Sequence, residues 1–149
     1  MQLEAVQTAA GRYGIRVQVL EARRVADIAQ TFDLIDRSRL SGMLVLSSPL
    51  FGGNPQTVAD LAMRRRLPII SVFPDIAREG GLLSYGPEIQ DLYRQAAHMA
   101  RKIIRGAAVA ETPVERPIRY LLIANVKTAN KFGITLPPSV LLRADEVIE

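Results

Sequence analysis

The chain has no cysteine among its 149 residues. That excludes disulfide staples, thiolate catalysis and cysteine-ligated zinc, while leaving the compartment open. It has a single histidine, His98, which sits inside a helical pattern between Ala97 and Met99. With no second histidine and no cysteine, His98 cannot anchor an ordinary zinc site and reads as a surface or half-buried helix residue. Long apolar runs are missing too, since none approaches the ~20 residues of a membrane span. The opening residues, "MQLEAVQTAAGRYG", lack the basic start and continuous apolar stretch of a secretory signal. They read instead as the interior of an amphipathic helix with no cap before it.

What is present describes an ordinary globular chain. Hydrophobic residues make up 48% and charged residues 23%, and a chain of this size buries roughly two-thirds of its unfolded surface in one domain. The formal charge is +4. Basic residues are scattered among acidic ones, so no nucleic-acid partner is implied.

Periodicity supplies the elements. Leu3, Val6, Ala10 and Tyr13 recur at helical spacing, with Gly14 as a stop. "IRVQVL" (residues 15–20) alternates like a strand, and Val25, Ile28, Phe32 and Ile35 trace a second helical stripe. "GMLVLSS" from Gly42 and "PIISVF" from Pro68 are short apolar runs of the kind buried in parallel sheets. Between them lies a helix, with Asn54 as its cap, Pro55 at its first position and Val58, Leu61 and Ala62 on its buried face. After a short helical piece at residues 75–78, "LLSYGPE" reads as a strand end and tight turn, with Pro87 opening a long helix. Ile89, Leu92, Tyr93, Ala96, Met99, Ala100 and Ile103 form one apolar stripe along that helix. A linker-like stretch, a strand "IRYLLIAN", a short helix "VKTANKFG", and a proline-marked turn with a last short helix complete the chain.

Alternating helices and strands predict an α/β fold, a flavodoxin-like, mostly parallel sheet with helices on both faces. Ligands of open α/β sheets sit beyond the carboxyl ends of the strands. Three such ends carry small polar and aromatic residues: Ser47, Ser48 and Phe51; Phe73 and Asp75; Ser84 and Tyr85. These seven are the candidate ligand contacts, and they suit binding more than chemistry. No serine has an evident base partner, no carboxylate pair stands at a strand end, and Asp75 is a candidate cap for the helix that follows. "GGNPQT" offers free N–H groups of the kind that cradle phosphate. It lacks the lysine and hydroxyl of a P-loop and the spacing of a dinucleotide fingerprint, so capping is the plainer account. "RRR" at Arg64–Arg66 ends a helix, where positive charge is favourable in any case. No catalytic residue, metal or cofactor is implied.

"LEAVQTAAGRYGIRVQVLEAR", "MLVLSSPLF", "GGLLSYGPEIQDLYRQAAHMARKIIRGA" and "ITLPPSVLLRADEVIE", in that order, resemble the substrate-binding proteins of ABC transporters. The likeness is to the tryptophan/tyrosine-type branch, the periplasmic component of an uncharacterised transport system. It implies a type I periplasmic-binding-protein fold, in which two α/β lobes joined by crossover strands close on a small ligand. Members are about twice this length, and residues 1–149 match their C-terminal half. Residues 82–106 then belong with the first lobe. Without that lobe, the Ile89–Ile103 stripe is expected to fold onto this one or to pair with a second chain as a homodimer.

The resemblance also implies a small organic or amino-acid-like ligand, an ABC permease as partner, and a periplasmic or lipoprotein location. At the strand end where the family often has an acid or amide, this sequence has Ser48, whose neutral hydroxyl cannot pair with an ammonium group. Phe51 and Tyr85 match aromatic cleft positions. The alternatives are a regulator's ligand-sensing domain and a nucleotide-binding flavodoxin-like enzyme. One lobe of two supplies only part of a ligand's contacts, so weak affinity is expected.

Overall fold

The computed structural model describes residues 2–35 and 40–149; Met1 of the N-terminal helical reading lies outside them. The elements in order are α1 (Gln2–Arg12), α2 (Val25–Asp33), β1 (Met43–Val45), α3 (Pro49–Gly52), α4 (Pro55–Arg64), β2 (Ile69–Ser71), α5 (Pro74–Arg78), β3 (Leu83–Pro87), α6 (Ile89–Ile104), β4 (Tyr120–Asn125), α7 (Val126–Phe132), α8 (Pro138–Leu141) and β5 (Glu146–Ile148). The five strands form one sheet in sequence order. β1–β2, β2–β3 and β4–β5 are parallel and β3–β4 is antiparallel. The sheet is therefore mostly parallel, as the alternation predicts. The antiparallel pair arises because the chain leaves β3 through α6 and returns at the same end of the sheet.

Strand register assigns every side chain to a face. Val45, Ile69, Ser71, Ser84 and Ile123 are buried on one face. Val45 and Ile69 join Ile28, Phe32 and Ile35 from α2 and its exit, Val58 and Ala62 from α4, and Ile76 from α5 in a single core. The helical stripes found in the sequence are the parts of these helices that the sheet covers. The opposite face is the more open one: Leu44, Ile70, Tyr85, Tyr120 and Val147 are all substantially exposed there. β1 and β2 are thus buried on one side only, not on both as their apolar runs suggest.

Three local expectations are corrected. Residues 15–20 form no strand, although α1 stops as expected at Gly14, whose φ is +64°. Alternation makes a chain able to pair, but the edge strand β1 is only three residues long. Ile15, Val17 and Val19 stay exposed, while Leu20 and Ala22 pack against the core. Asn54 stands at the cap of α4, but its side chain makes no cap bond and instead donates to the Leu50 carbonyl at 2.8 Å. The chain end holds β5 in addition to the short helix, and the Asp145 carboxylate accepts the Leu122 N–H at 2.9 Å beside it.

α6 has the strongest apolar stripe in the sequence, yet none of its residues is buried. Its neighbours come from the following connection: the Gln95 amide donates to the Arg116 carbonyl at 3.4 Å, and Lys102 lies 3.8 Å from Glu115. The stripe does not fold onto this sheet.

Among the described residues one non-glycine position, Arg66, has a strained positive φ. Arg66 has φ 51° at the end of α4, where the Leu67 N–H reaches back to the Ala62 carbonyl at 2.9 Å. Glycine is the usual residue at such a helix exit, because it meets no side-chain penalty there. Arg66→Gly is therefore expected to raise unfolding stability by about 0.5–1 kcal/mol, measured by urea denaturation.

Candidate functional site

β1, β2 and β3 run parallel, so their carboxyl ends share one edge of the sheet, and β4 enters the sheet at that same edge. The chain past β1 delivers Ser47, Ser48 and, within α3, Phe51. The chain past β2 delivers Phe73 and Asp75, and the far end of β3 delivers Tyr85 and Pro87. Six of the seven candidates are thus brought toward one edge from three separate segments.

Each has a local reason for its position. Ser48 caps α3, its hydroxyl oxygen accepting the Leu50 N–H at 3.2 Å. Ser47 is exposed, and its backbone N–H is bound by the Gln2 side-chain oxygen at 3.1 Å. The glycine pair after α3's aromatic serves packing: a Cβ on Gly52 would lie 2.8 Å from the Phe73 ring. That close approach seats Phe73 against α3, and both Phe51 and Phe73 are half-buried on the core. Asp75 is exposed in the first turn of α5, where it lies 3.1 Å from Arg78, and Arg78 also binds Glu146 of β5 at 2.8 Å. The Glu146 carboxylate, then Asp75, hold the Arg78 guanidinium above its ordinary pKa. Asp75 is therefore occupied by a cation of its own chain.

The "SYGP" stretch is a strand and not a turn. Residues 83–87 pair antiparallel with β4, Tyr85 opposite Leu122 and Pro87 opposite Tyr120. Gly86 serves close approach, since a Cβ there would stand 1.9 Å from the Val72 carbonyl oxygen. Pro87 closes the strand, where its missing N–H costs little, and the helix begins only at Ile89 with Glu88 as its cap. Because neighbours on a strand point to opposite faces, Ser84 and Tyr85 do not share a wall. Tyr85 is 58% exposed on the open face and stacks on Tyr120, ring centres 5.7 Å apart at 27°. Tyr120 carries no site signal in the sequence. Its place in "IRYLLIAN" reveals nothing until register sets it beside Tyr85.

Ser84 is enclosed on the core face beside Ser71, and its hydroxyl has no hydrogen-bond partner among the described residues. A buried hydroxyl without a partner brings desolvation and no compensation. Ser84→Ala is accordingly expected to leave stability unchanged or raise it by up to about 1 kcal/mol, read from chemical denaturation.

Among the described residues no group of three or more histidine, acidic or cysteine side chains is placed to hold a metal, and no helix is long and apolar enough to cross a membrane. The edge offers aromatic faces, hydroxyls and backbone groups, which hold ligands by stacking and hydrogen bonding.

The model of the ABC transporter substrate binding protein family matches residues 1–148. The chain belongs to that family. Three solved structures share its fold. One is the ABC domain in complex with L-Trp from Streptococcus pneumonia, 27% identical with TM-score 0.89 over 99% of this chain and 51% of that one. Another, a conserved domain protein from Vibrio cholerae, is 20% identical with TM-score 0.90 over 98% of this chain and 49% of that one. The third is a ligand-free, open substrate-binding protein with adhesive properties from Clostridium difficile, 20% identical with TM-score 0.65 over 99% of this chain and 49% of that one. The chain thus spans about half the length of each. No curated protein matches it. These likenesses establish a periplasmic-binding-protein-type α/β lobe for this substrate-binding family member.

Proposed function

We propose that this chain is one lobe of a solute-binding component of an ABC importer, holding a small amino-acid-like or aromatic solute without altering it covalently. The observation that carries the proposal is the match to a substrate-binding family together with a 27% identical structure that holds L-Trp. The edge chemistry supports it. Phe51, Phe73 and Tyr85 supply flat apolar contact, and Ser47 and Ser48 supply hydroxyls of which only the Ser48 oxygen is already used. Ser84 stands apart from the solute, enclosed on the core face of β3, and Asp75 serves as a strut for Arg78. With Ser48 neutral and Asp75 paired, a solute's ammonium group finds its partner on the other half of a full-length protein.

In that arrangement α6, within residues 82–106, packs on the first lobe, while β3 stays the central strand of this sheet. α6 leaves the sheet directly from β3, its apolar stripe lacks cover here, and β4 brings the chain back. The first lobe is the cover for that stripe, in preference to a second copy of this chain. Closure of the two lobes around the solute would present it to a permease outside the cytoplasm.

The test is a thermal-shift panel of amino acids and nucleotides, followed by titration of L-tryptophan. The chain has no tryptophan of its own, so changes in indole emission belong to the ligand. Aromatic amino acids are expected to stabilise the protein at high concentration, with a dissociation constant weaker than about 10 μM because one lobe supplies only part of the contacts. Stabilisation by nucleotides alone would overturn the proposal.

A further inference from the structure

A second cluster of polar chemistry lies at the opposite edge of the sheet, where β1 and β2 begin. A depression of about 390 Å³ is lined there by Ser41, Arg66, Pro68, Lys131, Phe132 and Ile134. Three separated segments build it: the entry to β1, the exit of α4 leading into β2, and the last turn of α7 with its exit. Two cations and a hydroxyl thus stand beside two aliphatic residues and an aromatic ring.

Both cations are available. Arg65 is bound to Asp33, and Arg78 to Glu146 and Asp75, whereas neither Arg66 nor Lys131 has a carboxylate partner among the described residues. The plainer account is that each cation merely offsets the negative end of the helix it terminates. Arg64, in the last turn of α4, already serves that purpose there. It also leaves the Arg66 backbone unexplained, since this position favours glycine and an arginine there costs stability. The strain has a use if the guanidinium is held over the depression. Phe132 and Ile134 are half-buried, so the apolar part of the lining is partly fixed by packing.

We infer that this depression is a binding subsite for an oxyanion, a carboxylate or phosphate, carried on a short apolar body. The guanidinium and ammonium pair with the oxyanion, and Pro68, Phe132 and Ile134 cover the apolar part. The subsite is separate from the edge that carries Ser47, Phe73 and Tyr85, so it stands or falls independently of solute binding there. The same chemistry occurs in a free carboxylate or phosphate ester and in an anionic lipid headgroup.

The experiment is a backbone-amide NMR titration of the full chain with inorganic phosphate, with hexanoate and, separately, with phosphatidylglycerol vesicles, using chloride at matched ionic strength as reference. Saturable shifts at Ser41, Arg66 and residues 131–134 are expected with both soluble probes, hexanoate binding more tightly than phosphate. Line broadening with vesicles at the same residues would identify the lipid as a source; its absence would identify the soluble anion. Arg66→Gly combined with Lys131→Gln is expected to weaken hexanoate binding by about tenfold or more while the melting temperature holds or rises, since glycine relieves the backbone. Shifts that chloride reproduces, or an undiminished response in the double variant, would overturn the inference.

Discussion

Gly86→Ala is expected to abolish cooperative folding or to cost about 3–5 kcal/mol, a large share of the roughly 5–15 kcal/mol that holds a domain of this size together. The added methyl would meet the Val72 carbonyl oxygen at 1.9 Å, its carbon at 2.8 Å and the Val72 Cα at 3.1 Å. All three are backbone atoms, so no rotamer change relieves the clash. Relief needs β3 to move away from the chain leaving β2. β3 is the central strand, held to β4 through five paired positions, so the movement spreads into the sheet. Urea denaturation followed by circular dichroism is the measurement. Gly133→Ala is the control: that glycine has φ +67° and nothing within 4 Å of a Cβ, so only the backbone penalty of about 1 kcal/mol is expected there. Similar losses in the two variants would remove the close-approach explanation.

Asn125→Ala is the second large effect, expected to cost about 2–4 kcal/mol. Asn125 is buried at the junction of β4 and α7. Its oxygen accepts the Thr128 N–H at 2.8 Å, and its amide donates to the Ala77 carbonyl at 2.8 Å. The Thr128 hydroxyl adds a bond to the Gly80 carbonyl at 3.1 Å. Together these fasten the start of α7 to the segment between α5 and β3. Alanine leaves the buried Thr128 N–H without its partner, at its full desolvation cost, and leaves the Ala77 carbonyl with only the Gly80 N–H at 3.2 Å. Asn125→Ser retains a cap oxygen but not the reach to Ala77, so it is expected to recover part of the loss. Denaturation midpoints that rank serine no better than alanine would contradict the cap contribution.

The sequence carried the core and the order of most elements because these follow from periodicity, but not the open second face of the sheet. Ile28, Phe32, Val58 and Ala62 announce their burial by spacing, and all four are enclosed. It could not carry what depends on pairing between distant segments. "LLSYGPE" holds a serine, a glycine and a proline, which locally favour a turn, yet five ladder positions with β4 make it a strand. Residues 15–20 alternate well but pair with no strand. The site divides in the same way. Strand ends, which follow from alternation, drew Ser47, Ser48, Phe51, Phe73 and Tyr85 toward one edge. Register, which only the paired sheet reveals, turned Ser84 into the core and set Tyr120 against Tyr85. Arg66 and Lys131 are 65 positions apart, and no local pattern joins them.

The central proposal is that the shared carboxyl edge of β1, β2 and β3 holds the solute. It is tested most directly by a backbone-amide NMR titration with L-tryptophan. Saturable shifts are expected at Ser47, Ser48, Phe51, Phe73 and Tyr85. Saturable shifts confined to other residues, or no shift up to the solubility limit of tryptophan and of the aromatic amino acids that stabilise the fold, would contradict it.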